Sequence, residues 1–339
     1  GRIGLTLARR LTGLGCHVVL LSRQKVPERD WLQEEFGDSV ALVRVETCDV
    51  ADGPRLTRLL HNIVNRDGAV GGIFHCAGLA DLRYIEDTCT KTIAAESAAK
   101  ITGTDQLRMA VRQLASATGQ RPDFIMLFSS LAAILGGLGM AGYAAANRYL
   151  DATVAGCTDT GDVPWVSVNF DDWDFEYTKE QVGAFAHTRR GLALPPEDGV
   201  AAIEAILGEP DLSQVVVSAT PLDQRIAKWT WLHNDALEAV HQGAATAPVK
   251  CEKPGRSVQE CATQHNMTSA LILKAYAKVI GSRDLELDAN FFELGGDSLL
   301  AAQLAIELRG ALPRGIEVSI GDIFDYPTPR RLTQRLDSD

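Results

Sequence analysis

The chain has 339 residues, 46% hydrophobic and 23% charged, with a formal net charge of −11. That length suits one medium domain and one small one, with apolar content enough for a sizeable core. The acidic balance argues against nucleic acid and anionic membrane as partners, since both reward basic surfaces.

No apolar run approaches the ~20 residues needed to span a bilayer, and the N-terminus lacks a signal-peptide pattern. The seven cysteines (Cys16, Cys48, Cys76, Cys89, Cys157, Cys251, Cys261) are scattered and never spaced as CxxC, which suits free thiols in a reducing cytosol. The histidines show no metal-ligand spacing, so no metal is expected.

In chain order, the first element is an apolar helix pattern (Leu5, Leu7, Ala8, Leu11) that begins directly behind Gly1 and Gly4. Short β-branched runs then read as buried strands: His17–Leu21, Val40–Val45, Gly71–His75, Phe124–Phe128, Val166–Phe170 and Gln214–Ser218. Helical periodicity fills the intervals at Arg55–Asn65, Ala94–Leu114, Tyr143–Ala155 and Gly199–Leu207. Such alternation predicts an α/β domain, a doubly wound parallel sheet with helices on both faces. That plan needs a strand before the first helix, so the chain is expected to be a fragment whose first strand lies upstream.

After Leu232 the pattern decays into small residues and prolines that read as a linker. From about Thr268 an all-helical pattern follows. It has one helix at Ala270–Ile280, another opening near Ser298, and a short last one after Pro329. The expected division is 1–235 for the α/β domain, 236–264 for a flexible linker and 265–339 for the small helical domain.

Gly1 and Gly4 fit the last two glycines of a GxGxxG turn, which lets backbone approach a pyrophosphate at a helix N-terminus. A glycine pair that merely opens a helix fits equally well. The strand at His17–Leu21 ends in Ser22-Arg23, where an arginine favours the 2′-phosphate of NADP over the 2′-hydroxyl of NAD. Asp49 is placed to reach the adenine amine, and Ala77-Gly78 to floor the nicotinamide side.

Ser130 ends a strand at the carboxyl edge, where ligands bind in such sheets. Tyr143 and Asn147, four apart, share one helix face, and Lys100 lies on the preceding long helical segment. Hydride delivery to a ketone leaves an alkoxide that needs a proton donor. A tyrosine serves if a nearby cation lowers its pKa, and a serine hydroxyl holds the carbonyl oxygen. Singly, each residue has a plain packing or capping explanation; their joint occurrence carries the argument.

The run Phe128-Ser-Ser-Leu-Ala-Ala, then Gly136, Gly139 and Tyr143-Ala-Ala-Ala-Asn-Arg-Tyr-Leu-Asp-Ala152, resembles the catalytic core of polyketide synthase ketoreductase domains, which belong to the short-chain dehydrogenase/reductase superfamily. Most of that superfamily has lysine four residues after the tyrosine. Here Asn147 stands there, and Lys100-Ile-Thr-Gly-Thr-Asp-Gln-Leu107 resembles the earlier segment from which the synthase domains bring their lysine. The resemblance implies Tyr143 as general acid, Ser130 as carbonyl ligand, Lys100 as activating cation and Asn147 as orienter of the lysine. It extends through Pro195–Gly199 and Leu222–Arg225, and implies a Rossmann-like fold using NADPH. Neither family marker of alcohol configuration is intact: the Leu-Asp-Asp place reads Ala80-Asp81-Leu82, and the tryptophan place is Leu135. Phe170–His187, with Trp173, Phe175, Tyr177 and Phe185, is either a substrate lid or ordinary packing.

Phe291-Phe-Glu-Leu-Gly-Gly-Asp-Ser298-Leu-Leu and Phe324-Asp-Tyr-Pro-Thr-Pro329 resemble acyl and peptidyl carrier proteins, whose fold is a small four-helix bundle. The resemblance implies 4′-phosphopantetheine on Ser298, added by a phosphopantetheinyl transferase. It also implies an acidic partner-facing surface at Asp297, Glu307, Asp322 and Asp325. Expected partners are the tethered acyl substrate and neighbouring ketosynthase, acyltransferase and downstream condensing or cyclising domains. The expected reaction is reduction of a β-ketoacyl thioester in a modular polyketide or hybrid polyketide–peptide synthase. A silent reductase scaffold beside an active carrier, and α-ketoacyl reduction in a depsipeptide synthetase, stay open.

Overall fold

The computed structural model describes residues 1–24, 29–79, 89–137, 139–156, 163–175, 193–209, 211–226, 258–281, 285–292, 294, 296, 298–313, 316 and 318–337. The chain divides into two compact units, one of Gly1–Phe175 with Ala193–Ala219, the other of Glu176–Leu192 with Thr220–Asp339.

In the first unit α1 (Arg2–Gly13) leads to β1 (Val18–Ser22), α2 (Arg29–Phe36), β2 (Val43–Thr47), α3 (Gly53–Asp67) and β3 (Gly72–His75). Then come α4 (Thr90–Ser97), α5 (Ile101–Thr118), β4 (Phe124–Ser130), α6 (Ala132–Leu135), α7 (Ala141–Ala155), β5 (Trp165–Phe170), α8 (Pro196–Leu207) and β6 (Gln214–Val217). All strand pairs are parallel, β1 with β2 and, in a second sheet, β3-β4-β5-β6. The doubly wound plan puts the strand preceding α1 between these two sheets, and among the described residues no strand occupies that place.

Strand alternation explains the two layers. On β4, Ile125 and Leu127 pack with Leu60 of α3, Leu107 and Leu114 of α5 and Leu150 of α7. Met126 and Phe128 turn the other way, onto Leu7 of α1, Trp173 and Ile203 of α8. Both faces of the strand are therefore apolar, which is why it reads as a continuous hydrophobic run.

Three sequence expectations are corrected. The span Val40–Val45 is a strand only from Val43, because a 3₁₀ turn occupies Gly37–Leu42. The single helix expected over Ala94–Leu114 is two, α4 and α5, and Lys100 lies in the break between them as the N-cap of α5. Helix α9 begins at Val258, inside the span expected as linker, whose residues 236–257 lie outside the described residues.

In the second unit α9 (Val258–Ile280), α10 (Ser298–Ala311), α11 (Ile320–Asp325) and α12 (Pro329–Leu336) bury Ile272, Leu304, Leu308, Ile323 and Leu332 together. A chain of rings, Tyr276, Phe291, Phe292 and Phe324, runs through this core with centroids 4.8–5.4 Å apart. Side chains cap both short helices: Ser319 and Asp322 form a reciprocal box at α11, and Thr328 accepts from the Arg331 amide ahead of Pro329 at α12.

Candidate active site

Because the strands of each sheet are parallel, β1 and β2 end together at Ser22 and Thr47, and β3 and β4 end together at His75 and Ser130. Each cofactor candidate sits just at or past such an end, apart from Gly1 and Gly4. Gly1 is the N-cap of α1, and a Cβ on Gly4 would come within 4.0 Å of Cys76 Cβ. Ser22 accepts from the Gln24 amide and Arg23 is exposed. Asp49 is exposed and accepts from the Ala51 amide. Ala77 and Gly78 follow β3, and a Cβ on Gly78 would meet Lys100 Cε at 2.7 Å. The lysine stem therefore lies directly on the backbone of Gly78.

Lys100 is buried, and its ammonium donates to the Phe128 carbonyl at 2.7 Å. Burial pushes its pKa down to about 8, opposed by its coupling to the Cys76 thiol and by the Asp151 carboxylate. The turn that carries it is fixed from β3: His75 Nε2 lies 3.1 Å from the Ala99 carbonyl. A carbonyl only accepts, so Nε2 holds the proton. Burial and the neighbouring lysine lower this imidazole to about 4, so it is neutral. Burial pushes the Cys76 thiol up to about 12, which leaves it protonated.

The Lys100 ammonium lies 5.9 Å from the centre of the Tyr143 ring, although one residue comes from the break between α4 and α5 and the other from α7. Asn147, one turn after Tyr143, is fully buried; its Nδ2 donates to the Tyr143 carbonyl at 2.8 Å. Its Oδ1 has no partner among the described residues. Ser130 is half-buried at the end of β4, its hydroxyl accepting from the Ala132 amide. A Cβ on Gly142 would run into the Glu96 carboxylate, which α4 sets against the start of α7. Trp173 is buried in the core and stacks on Phe175, so these two aromatics are packing; Tyr177 and Phe185 lie outside the described residues.

Residues not singled out in the sequence surround this set. Asp151, Ser167, Asn169 and Ser129 form a buried hydrogen-bonded group behind the strand end. A signal for it exists: β5 reads Trp-Val-Ser-Val-Asn-Phe, polar at alternate positions of a strand buried throughout.

In the second unit Ser298 opens α10. Gly296 is held by its amide to the Phe291 carbonyl at 2.9 Å, and a Cβ there would come within 2.6 Å of that same oxygen. No larger residue fits under this turn. The expected acidic surface is partly neutralised: Glu307 pairs with Lys278 and Asp322 with Arg335, while Asp297 lies outside the described residues. No helix among the described residues is long and apolar enough to cross a membrane.

Residues 1–174 match the family described as KR domain, and residues 270–336 match the phosphopantetheine attachment site. The chain belongs to the KR-domain family, the ketoreductases of modular polyketide synthases with the short-chain dehydrogenase/reductase fold, and carries a phosphopantetheine-attachment domain behind it. Among its relatives, a polyketide synthase GfsA of Streptomyces halstedii is 29% identical over 99% of this chain and 5% of its own length. The erythronolide synthase EryA3 of Saccharopolyspora erythraea is 29% identical over 98% of this chain and 10% of its own. The chain thus spans a small fraction of these synthases. A C2-type ketoreductase from a modular polyketide synthase superposes with a TM-score of 0.58 at 27% identity, covering 68% of this chain and 48% of that one. The ketoreductase from the first module of phoslactomycin biosynthesis in Streptomyces sp. HK803 gives 0.56 at 27% identity, over 68% and 52%.

Proposed function

We propose that the chain reduces a β-ketoacyl thioester to the β-hydroxyacyl thioester with NADPH while the acyl group hangs from phosphopantetheine on Ser298. On this reading residues 1–235 form the reductase and 265–339 the carrier, joined by the segment 236–264, whose last part from Val258 is already helix α9. The observation that carries it is the Lys100 ammonium 5.9 Å from the Tyr143 ring centre, beside the end of the strand bearing Ser130.

The strand ends fit the cofactor. Arg23 is exposed at the edge for a 2′-phosphate, Gly4 leaves α1 open towards Cys76, and bare Gly78 keeps the floor low under the lysine. The buried, unpartnered Asn147 Oδ1 fits a site completed by further hydrogen-bond donors. NADPH, when bound, supplies the hydride.

This chain's own residues do the rest. The Ser130 hydroxyl donates to the substrate carbonyl oxygen and stabilises the charge that develops there. The Tyr143 phenol gives that oxygen its proton. Lys100, held in place by the Phe128 carbonyl, keeps a positive charge near the phenol and so favours the phenolate that remains. The Asn147 amide ties its own helix turn and offers Oδ1 towards the site. The carrier raises the local concentration of substrate, since a tethered acyl group needs no diffusional encounter.

The test is to load the chain through Ser298 with a β-ketoacyl group, add NADPH and follow the intact mass. A gain of two hydrogens is expected; no gain, with loading verified, overturns the reading. An α-ketoacyl group loaded in parallel distinguishes the substrate class.

A further inference from the structure

Resting on that reductase reading, we propose that Asp151 is a positioning residue whose buried carboxylate locks the strand that ends in Ser130 to the helix that carries Tyr143 and Asn147. Asp151 lies on α7, eight residues after Tyr143, with a side chain 2% exposed. Its Oδ1 accepts from the Ser167 hydroxyl at 2.6 Å and its Oδ2 from Asn169 Nδ2 at 2.9 Å, both on β5.

The Asn169 amide group is also 3.0 Å from Ser129 Oγ and 3.2 Å from the Ser130 carbonyl, so it clasps the last two residues of β4. Ser129 in turn donates to the Asn147 carbonyl at 3.2 Å. From β6, Gln214 Nε2 donates to Asn169 Oδ1 at 2.9 Å and fixes which way that amide faces. The circuit closes: α7 to β5, β5 to β4, and β4 back to α7 at the turn between Tyr143 and Asp151. It ties together the two elements whose spacing sets the Ser130 hydroxyl against the Tyr143 phenol. A leucine would fill the position of Asp151 without taking a charge out of water, so packing alone does not account for the carboxylate.

The charge has a second consequence. Around α7 the ionisable groups are Arg148, whose Nη1 is 3.9 Å from Asp151 Oδ2, and Tyr149, bonded to Asp105 of α5 beside Arg108. Glu96 of α4 lies at Gly142, and Lys100 with neutral His75 and Cys76 lies towards β3. Within this group Asp151 is a buried negative charge that supports the Lys100 ammonium against desolvation. Removing it lets the ammonium lose its proton at lower pH.

Asp151→Asn keeps both hydrogen bonds, with the Ser167 hydroxyl reversed, and deletes the charge. Ser129→Ala keeps the charge and deletes the strand-to-helix bond. Steady-state NADPH oxidation on a β-keto thioester is measured from pH 6 to 10, beside thermal melting. Asp151→Asn is expected to move the basic limb of the kcat profile down by about half to one pH unit. Ser129→Ala is expected to lower kcat by roughly 5–20-fold with the limb in place, since small misplacements near reacting atoms are costly. KM for the thioester is expected to hold within about twofold in both, as neither group is placed on the substrate.

If Asp151→Asn melts lower but keeps the parent's kcat and limb, the residue is merely structural and the proposal falls. Should that variant not fold, Ser129→Ala decides alone, and parental kcat there overturns the proposal. An inactive parent sinks the reductase reading and this one with it; an active parent with unaltered variants sinks this one only.

Discussion

At the reductase end, Lys100, Ser130, Tyr143 and Asn147 come from a helix break, a strand end and a helix, separated by up to 47 positions. At the carrier end, Gly296 and Ser298 stand two positions apart, with Phe291 packed against Gly296. The first site is a product of tertiary structure and leans on buried polar groups that cost desolvation. The second is a local turn on an apolar core. The difference teaches where each is vulnerable: the reductase to shifts between elements, the carrier to changes within one short segment.

Ser298→Ala should give the largest effect, complete loss of phosphopantetheine attachment by intact mass, while reduction of a free thioester continues. Any surviving attachment would break the contrast at its simplest point. Tyr143→Phe should do the converse, lowering kcat by about 10²–10⁴-fold with attachment unaltered. The pair shows whether the two ends fail independently.

Lys100 yields a smaller and more diagnostic effect. Its folded pKa of about 8 lies below the ordinary lysine value of 10.5. Below pH 8 the ammonium is kept at a folding cost on the order of 3 kcal/mol, which is relieved as pH rises between 8 and 10.5. Activity that depends on this ammonium should fall by about tenfold per unit above pH 8, over a range where the lysine's cost to folding is shrinking. A kcat flat to pH 10 would remove Lys100 from the proposed chemistry. Gly296→Ala should have the smallest effect on reduction, none, while lowering carrier stability by about 1–3 kcal/mol through the clash with Phe291; a melting curve of the chain reads both units.

Much of the architecture was legible because alternation and helical periodicity mark elements buried on both faces, as β4 shows. The break at Lys100 was not, although Ile101-Thr-Gly-Thr104 is a weak stretch for a helix, since good helix formers flank it on both sides. What interrupts them is a tertiary contact, His75 holding the Ala99 carbonyl from another strand. The start of β2 was misplaced because Val40 and Leu42 have strand-like side chains inside a 3₁₀ turn. The catalytic candidates were found through a long motif, whereas the Asp151 group was passed over. Serine and asparagine in a buried strand signal that something polar lies opposite, yet their partner is named only by the fold.

The two adjacent serines of β4 face different tasks. Ser129 is committed to the buried side through Asn169 and Asn147, which leaves Ser130 for the opposite side. A slip of one residue in that strand would swap the hydroxyls and spoil both at once. Insertion or deletion of a single residue within β4 ahead of Ser130 is thus doubly penalised, and length variation between α5 and Ser130 is expected to be confined to the loop around Gly119–Pro122.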